Sequence, residues 1–285
     1  MATVTHPYAT TSGSPYTITA TYAGTGDFNS STGTDTQTVN QAATTASVTS
    51  APDPSVVGEE VTVMATVTAD APGAGTPTGT VTFDFGDGSP AGTGTLVGGV
   101  ATVTHPYATT SGSPYTITAT YGGDANFAGT TATDTQTVNQ AATTASVTSA
   151  PDPSVVGEEV TVTATVTADA PGAGTPTGTV TVDFGDGSPA VTETLAGGTV
   201  TTTHVYTDLS GSPYTISVSY GGDANFAGTT ATDTHTVNQA ATTASVTSAP
   251  DPSVVGESVT VTATVAVDAP GAGTPTGTVV FDFGD

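Results

Sequence analysis

The chain repeats itself every 99 residues: Thr-Val-Asn ends at Asn40, Asn139 and Asn238, and Thr-His ends at His6, His105 and His204. Thr34–Val63 is identical to Thr133–Val162, and Ala65–Thr82 is identical to Ala164–Thr181. A period near 100 is the size of one self-sufficient domain, whereas a solenoid unit runs to roughly 20–50 residues. Each period must therefore bury a core of its own, and the chain is a string of near-copies of one small domain. On this register residues 41–139 and 140–238 are complete copies, 1–40 is the C-terminal half of a copy and 239–285 is the N-terminal half of another.

Within a copy no segment has a helical period. Apolar and polar residues alternate instead, as in Val61-Thr62-Val63-Met64-Ala65-Thr66-Val67 and Tyr115-Thr116-Ile117-Thr118-Ala119-Thr120-Tyr121. That alternation is the mark of a half-buried strand, and Thr on the outer face suits it because it is both β-branched and polar. Turn-forming stretches rich in Gly, Pro, Asp and Ser punctuate the copy about every ten residues. The pattern predicts seven strands near 44–50, 59–69, 79–86, 92–97, 100–107, 114–122 and 133–139. Seven short antiparallel strands in a copy of this size predict an all-β fold, a tandem array of Ig-like seven-stranded β-sandwiches. The predicted core is Val61, Val63, Val67, Val81, Phe83, Phe85, Val103, Tyr115, Ile117 and Tyr121, with Phe127 closing the loop before the last strand. Tyr115 is placed either as a tyrosine corner, its hydroxyl bonded back to the backbone, or as an ordinary core residue.

Composition narrows the functions open to such an array. There is no Lys or Arg, 25 residues are Asp or Glu, and the net charge is −25. Binding to nucleic acid needs bases to neutralise phosphates, so it is excluded, as is an electrostatic grip on anionic lipid. Lysine-based cross-links cannot form, and with no Cys there are no disulfides. A uniform negative charge also keeps neighbouring near-identical domains from adhering to one another. No apolar run is long enough to span a membrane, and no signal peptide is read.

Two family resemblances cover the chain. Phe83-Asp84-Phe85-Gly86-Asp87-Gly88, then Thr104-His105-Pro106-Tyr107 and Ser113-Pro114-Tyr115-Thr116-Ile117-Thr118, resembles the PKD domain; the second copy keeps Asp183–Gly187, His204 and Tyr206 but has Val182 for the first Phe. Thr120–Thr130, with its Tyr-Gly-Gly-Asp-Ala-Asn-Phe core, is similar to the closing half of bacterial Ig-like repeats, as are Thr76–Thr82 and the Ser55–Gly58 turn. The first copy departs here, with Ala23-Gly24-Thr25-Gly26-Asp27-Phe28. Both families imply β-sandwiches of large secreted or surface-anchored proteins, and hence an extracellular spacer.

Candidate chemistry is sparse. His6, His105 and His204 mark one equivalent position per copy, and His235 falls outside that series. No serine motif accompanies them, and zinc-ligand spacing is absent; the expected role is a loop anchor bonded to nearby backbone, with no catalytic residue. Asp53, Glu59, Glu60, Asp70, Asp84, Asp87, Asp124 and Asp134 offer carboxylates that could serve Ca²⁺, or, for Asp84 and Asp87, cap their own turn; no cofactor is assigned. Asn29-Ser30-Ser31 is the one glycosylation sequon, and Gln37 and Gln136 facing Thr-rich first strands raise a Thr–Gln ester cross-link.

The expected function is an extracellular structural repeat, a stiff rod or filament segment, since about four residues join one sandwich to the next. A ligand-binding module gripping glycan or protein through loops is the alternative. The half-copies at 1–40 and 239–285 carry the last three and the first three strands of a sandwich. They are consistent either with a slice of a longer chain or with head-to-tail completion by neighbouring copies of the same chain.

Overall fold

A computed structural model describes residues 1–285, which form two compact units, 1–140 and 141–285. In the first unit the strands are β1 (Tyr16–Tyr22), β2 (Ser31–Gln37), β3 (Thr44–Ala51), β4 (Ser55–Val56), β5 (Glu60–Ala69), β6 (Thr80–Asp84), β7 (Gly92–Thr95), β8 (Val100–Pro106), β9 (Tyr115–Tyr121), β10 (Thr130–Gln136) and β11 (Val138–Asn139). β3–β5–β8 form one antiparallel sheet and β7–β6–β9–β10 the other; β4 and β11 pair in parallel. The second unit repeats this with β12 (Thr143–Ala150), β13 (Ser154–Val155), β14 (Glu159–Ala168), β15 (Thr179–Asp183), β16 (Val191–Thr194), β17 (Thr199–Val205), β18 (Tyr214–Tyr220), β19 (Thr229–His235) and β20 (Val237–Asn238), and ends in the hairpin β21 (Thr242–Ala249) with β22 (Thr260–Val267).

The period-two pattern decides which side chains meet between the sheets. In β5 every second residue from Val61 to Val67 is buried, and β6 and β9 contribute Val81, Phe83, Ile117 and Tyr121. All the predicted core residues are buried except Val103, which is half-buried on β8. Tyr107, fully buried just beyond β8, belongs to the same core.

Of the short parallel pair, β4 is not among the seven predicted strands, and β11 falls at the end of the strand predicted at 133–139. Its two residues per strand carry no readable alternation, yet its bonds are clear: Ser55 N–H donates to Thr137 O (3.0 Å) and Val57 N–H to Asn139 O (3.0 Å). It fastens the start of the sandwich to its end.

The half-copies fold less completely than expected. Met1–Pro7 differs from Val100–Pro106 only at its first residue but forms no strand, and Gly277–Asp282, the counterpart of Gly79–Asp84, forms none either. In the complete copy β8 pairs with β5, and β6 pairs with β9 and β7. Those partners have no counterpart in the same half. A strand needs a neighbour for its backbone groups, so the same residues stay irregular.

The two complete copies also repack one corner in a compensated way. Phe83 faces Gly92 across β6–β7, and a Cβ on Gly94 would lie 3.3 Å from the Phe83 ring. In the second unit Val182 replaces Phe83, and Val191 and Glu193 replace the two glycines. At Gly94 the smaller Val182 removes the ring that a side chain would meet; the nearest side chain to Gly92 is Phe85, which the second unit keeps as Phe184.

Candidate functional site

Three clusters hold the polar and aromatic groups that could carry chemistry. The first is the turn after β6. Asp84 Oδ1 accepts from Gly86 N–H (2.9 Å) and Asp87 Oδ1 from Ser89 N–H (3.0 Å), so both carboxylates cap the turn. Gly86 has φ +75°, and a Cβ there would collide with Thr116 backbone, so this turn needs glycine. The other Asp87 oxygen meets His105 Nε2 at 2.7 Å. This corrects the expectation of a backbone-bonded histidine: the ring is held by a carboxylate.

His105 also stacks on Phe85 (4.0 Å between ring centroids), meets Tyr107 edge-on (4.8 Å), and Tyr107 in turn stacks on Tyr115 (4.7 Å). Burial works against ionisation of Asp87, but hydrogen bonds from Ser89 and His105 outweigh it and hold the carboxyl below its ordinary range. Burial, with Asp87 nearby, pushes the Tyr107 hydroxyl strongly upward, so it stays neutral and donates to Phe85 O (3.2 Å). The second unit rebuilds the column as Phe184, His204, Tyr206 and Tyr214, and His6, Tyr8 and Tyr16 keep part of it in 1–40.

Tyr115 satisfies both sequence-based alternatives. Its ring is buried in the core, and its hydroxyl lies 2.7 Å from Thr109 O and 2.9 Å from Ser111 O. Tyr115→Phe leaves the packing and removes the donor to those carbonyls. It is expected to cost about 1 kcal/mol, the net worth of one such bond, read as a lowered urea midpoint with unchanged m-value.

The second cluster is the loop between β9 and β10. Asp124 Oδ2 accepts from Thr78 N–H (2.9 Å) and Thr78 Oγ1 (2.6 Å), and Oδ1 from Asn126 N–H (2.8 Å) and Phe127 N–H (2.9 Å). Burial opposes ionisation, but these donors prevail and bring its pKa to about 2. The loop also meets the preceding half-copy within the first unit. Thr10 Oγ1 and Thr11 N–H both reach Asn126 Oδ1 (3.0 Å each), Thr11 Oγ1 donates to Ala125 O (2.6 Å), and Gln41 Nε2 donates to Asp124 O (2.6 Å). A groove of about 370 Å³ beside this junction is lined by Tyr8, Thr11, Asn40, Ala42, Pro72 and Phe127 among others.

The third cluster lies under the parallel strand pair. In the first unit Gln136, fully buried, donates through Nε2 to Pro52 O (2.9 Å), Thr137 O (3.0 Å) and Ser55 Oγ (3.2 Å). The hydroxyl bonded to Gln136 is thus that of Ser55, not of a threonine, so the geometry does not set up the Thr–Gln ester. In the second unit His235 stands in its place, with Nε2 2.8 Å from Ser154 Oγ, Nδ1 3.1 Å from Ser149 Oγ and 3.7 Å from Asp152 Oδ1. Serine, histidine and aspartate converge here, a juxtaposition that residue spacing did not reveal because His235 is far in sequence from Asp152 and Ser154. The arrangement cannot act as a hydrolytic triad: Ser154 and His235 are both 0% exposed, so no substrate carbonyl can approach the hydroxyl.

No group of three His, Asp or Glu side chains converges in a way that could hold a metal ion, and no helix is long and apolar enough to cross a membrane. Asn29 of the sequon is exposed just before β2.

Sandwich topology, the capped turn and the parallel clamp together define a class, the tandem Ig-like β-sandwich protein. Comparison with known families is then specific: the model for the bacterial Ig-like domain (group 3) matches residues 48–139 and 147–238, more than half of the chain, and the chain belongs to that family. Domains of this family are structural or adhesive modules, commonly found outside the cell or on its surface. Among solved structures the chain is similar to three N-terminal domains of the highly immunogenic outer capsid protein of bacteriophage RB49 (16% identity, 82% of this chain and 72% of that one, TM-score 0.28). It is also similar to the Escherichia coli adhesin FdeC (16% identity, 80% and 74%, TM-score 0.30) and to the titin domains Z1Z2 in complex with telethonin (18% identity, 67% and 96%, TM-score 0.33). No curated protein sequence matches the chain.

Proposed function

We propose that the chain is an extracellular structural segment, a stiff spacer in a bacterial or archaeal surface stalk, adhesin or fibre, whose length is set by copy number. The junction in the first unit carries this reading. β2 ends at Gln37 and β3 begins at Thr44, with no Gly/Ser spacer between them. Side-chain and backbone hydrogen bonds then tie the Thr10–Thr11 loop to Asn126. A short, bonded connection leaves little hinge freedom. The polar groups of the three clusters hold turns, the clamp and the first-unit junction. The reading invokes no metal, since Asp84, Asp87 and Asp124 already accept from N–H donors.

The same reading extends to partners of the chain's own kind. Ile18 and Tyr22 on β1 are 42% and 45% exposed, whereas their counterparts Ile117 and Tyr121 are buried in the complete sandwich. The hairpin β21–β22 is the counterpart of β3–β5, which packs over that face in the complete copy. Neighbouring copies would complete one another head to tail. Negative-stain imaging with light scattering on the purified chain tests both levels. Straight rods support the spacer, and a mass that grows with concentration supports head-to-tail contact. Randomly bent chains of monomer mass would count against both.

The alternative, a module that grips glycan or protein through its loops, would use a groove such as the one beside Pro72. Of the two aromatic rings that line the groove, Phe127 is buried in the core, and Tyr8 is half-buried and stacked on Tyr16.

A further inference from the structure

The two complete copies form an internal comparison. Their clamps are built alike: Ser154 N–H donates to Thr236 O as Ser55 N–H does to Thr137 O, and Asp152 accepts from Thr236 N–H as Asp53 does from Thr137 N–H. Beneath the clamp they differ at one position, Gln136 against His235. Gln136 cannot titrate; His235 can.

The hydrogen bonds fix which proton His235 carries. Ser149 Oγ donates to Asp233 Oδ2 (2.9 Å), so it can only accept from the ring, and Nδ1 is the protonated nitrogen. Nε2 is then an acceptor and takes the hydroxyl proton of Ser154. A second proton on Nε2 would turn that bond around. Ser154 would have to accept, as Ser55 does from Gln136, so what sets a protonated His235 apart is the charge it brings. The new charge would sit at 0% exposure. The groups facing it are Asp152 before β13, Glu158 after it, Asp233 on β19, His204 on β17, and the rings of Tyr206 and Tyr214. None of the three carboxylates hydrogen-bonds the ring.

We propose that the second complete copy contains an acid-sensitive clamp: proton uptake by His235 below neutral pH loosens the β13–β20 pairing, while the first complete copy, with Gln136 in that place, is unaffected. Burial holds the ring's affinity for a proton below that of an exposed histidine, against an opposing pull from Asp152, Asp233 and Glu158 and with a small further push from His204. The stabilisation is therefore complete above the ordinary histidine value of about 6.5 and is lost as pH falls below it. The clamp joins the short second strand of the sandwich to its last, close to where tension enters a domain pulled through its neighbours. Mild acid would thus open this copy first. The pairs His105–Asp87 and His204–Asp186 occur in both copies and cancel in the comparison.

Peptide-resolved hydrogen exchange on the full chain at pH 7.5 and 5.0 tests this, with protection corrected for the intrinsic rate. Peptides Phe83–Thr95 and Val182–Thr194 differ in sequence and report on the two sandwiches separately. The expected result is a several-fold loss of protection at pH 5.0 in Val182–Thr194 relative to Phe83–Thr95. His235→Gln, which installs a residue this fold already accommodates at Gln136, should abolish the difference. Gln136→His should transfer the loss to the first copy. Equal protection of the two peptides at pH 5.0, or a difference that survives His235→Gln, would overturn the proposal.

Discussion

Phe83→Ala is expected to lower the stability of the first complete sandwich by roughly 3–5 kcal/mol, the range for emptying a large aromatic site in a packed core. Phe83 is fully buried, on the strand that β9 and β7 flank. Its counterpart Val182 occurs together with Val191 and Glu193 in place of Gly92 and Gly94. The variants should follow that coupling. Gly94→Glu alone should cost about 1–3 kcal/mol by overpacking against Phe83 and Ala101. Combined with Phe83→Val it should cost less than the two single changes added together. Chemical denaturation of the full chain, followed by the exchange of peptide Phe83–Thr95, measures each term.

Asp124→Ala is the second large effect, with an expected cost of about 2–3 kcal/mol. One carboxylate serves four donors from Thr78, Asn126 and Phe127, and bonds to a charged acceptor are worth about 1.5–3 kcal/mol where the donors are left unpaired. Because these bonds bring the carboxyl to about 2, below an ordinary aspartate, its contribution is present above the unfolded value and is lost only as pH falls through about 2. Acid near pH 5 should leave it intact, which separates it from the His235 effect. A urea titration of Asp124→Ala at pH 7 checks the cost; a midpoint equal to that of the unchanged chain would refute it. The first half-copy supplies a natural contrast. Thr25 stands where Asp124 would be, and only the backbone turn, Thr25 N–H to Phe28 O (2.8 Å), remains.

The sandwich was legible in the sequence because its information is periodic. Val61 to Val67 and Tyr115 to Tyr121 announce strands, faces and core together, and the capped turn at Asp84 and Asp87 follows from its residue types. What was hidden depends on partners distant in sequence. Met1–Pro7 reads as a strand and is none, because pairing with β5 creates the strand in the complete copy. The clamp of Ser55–Val56 on Val138–Asn139 is too short to leave a period. The convergence of Ser154, Asp152 and His235 had one available signal: His235 breaks the 99-residue register of the other histidines and replaces a glutamine. That departure marks a chemical difference between copies: an imidazole can titrate where an amide cannot, and the burial of Ser154 and His235 keeps substrate away from both.

The burial pattern also explains why such a chain needs neither base nor disulfide. Each copy closes around its own apolar stripe, and carboxylates are consumed locally as acceptors for N–H groups.

The central proposal, that the short hydrogen-bonded junction before β3 stiffens the chain as a spacer, is tested most directly by small-angle X-ray scattering on the chain and on a variant with four Gly/Ser residues inserted between Asn40 and Gln41. The account predicts a rod-like profile for the unchanged chain, with a maximum dimension of roughly 100–120 Å if each sandwich spans ~40 Å, and a broader, more compact distribution once the junction is loosened. Indistinguishable profiles for the two chains, or a flexible distribution in the unchanged one, would contradict it.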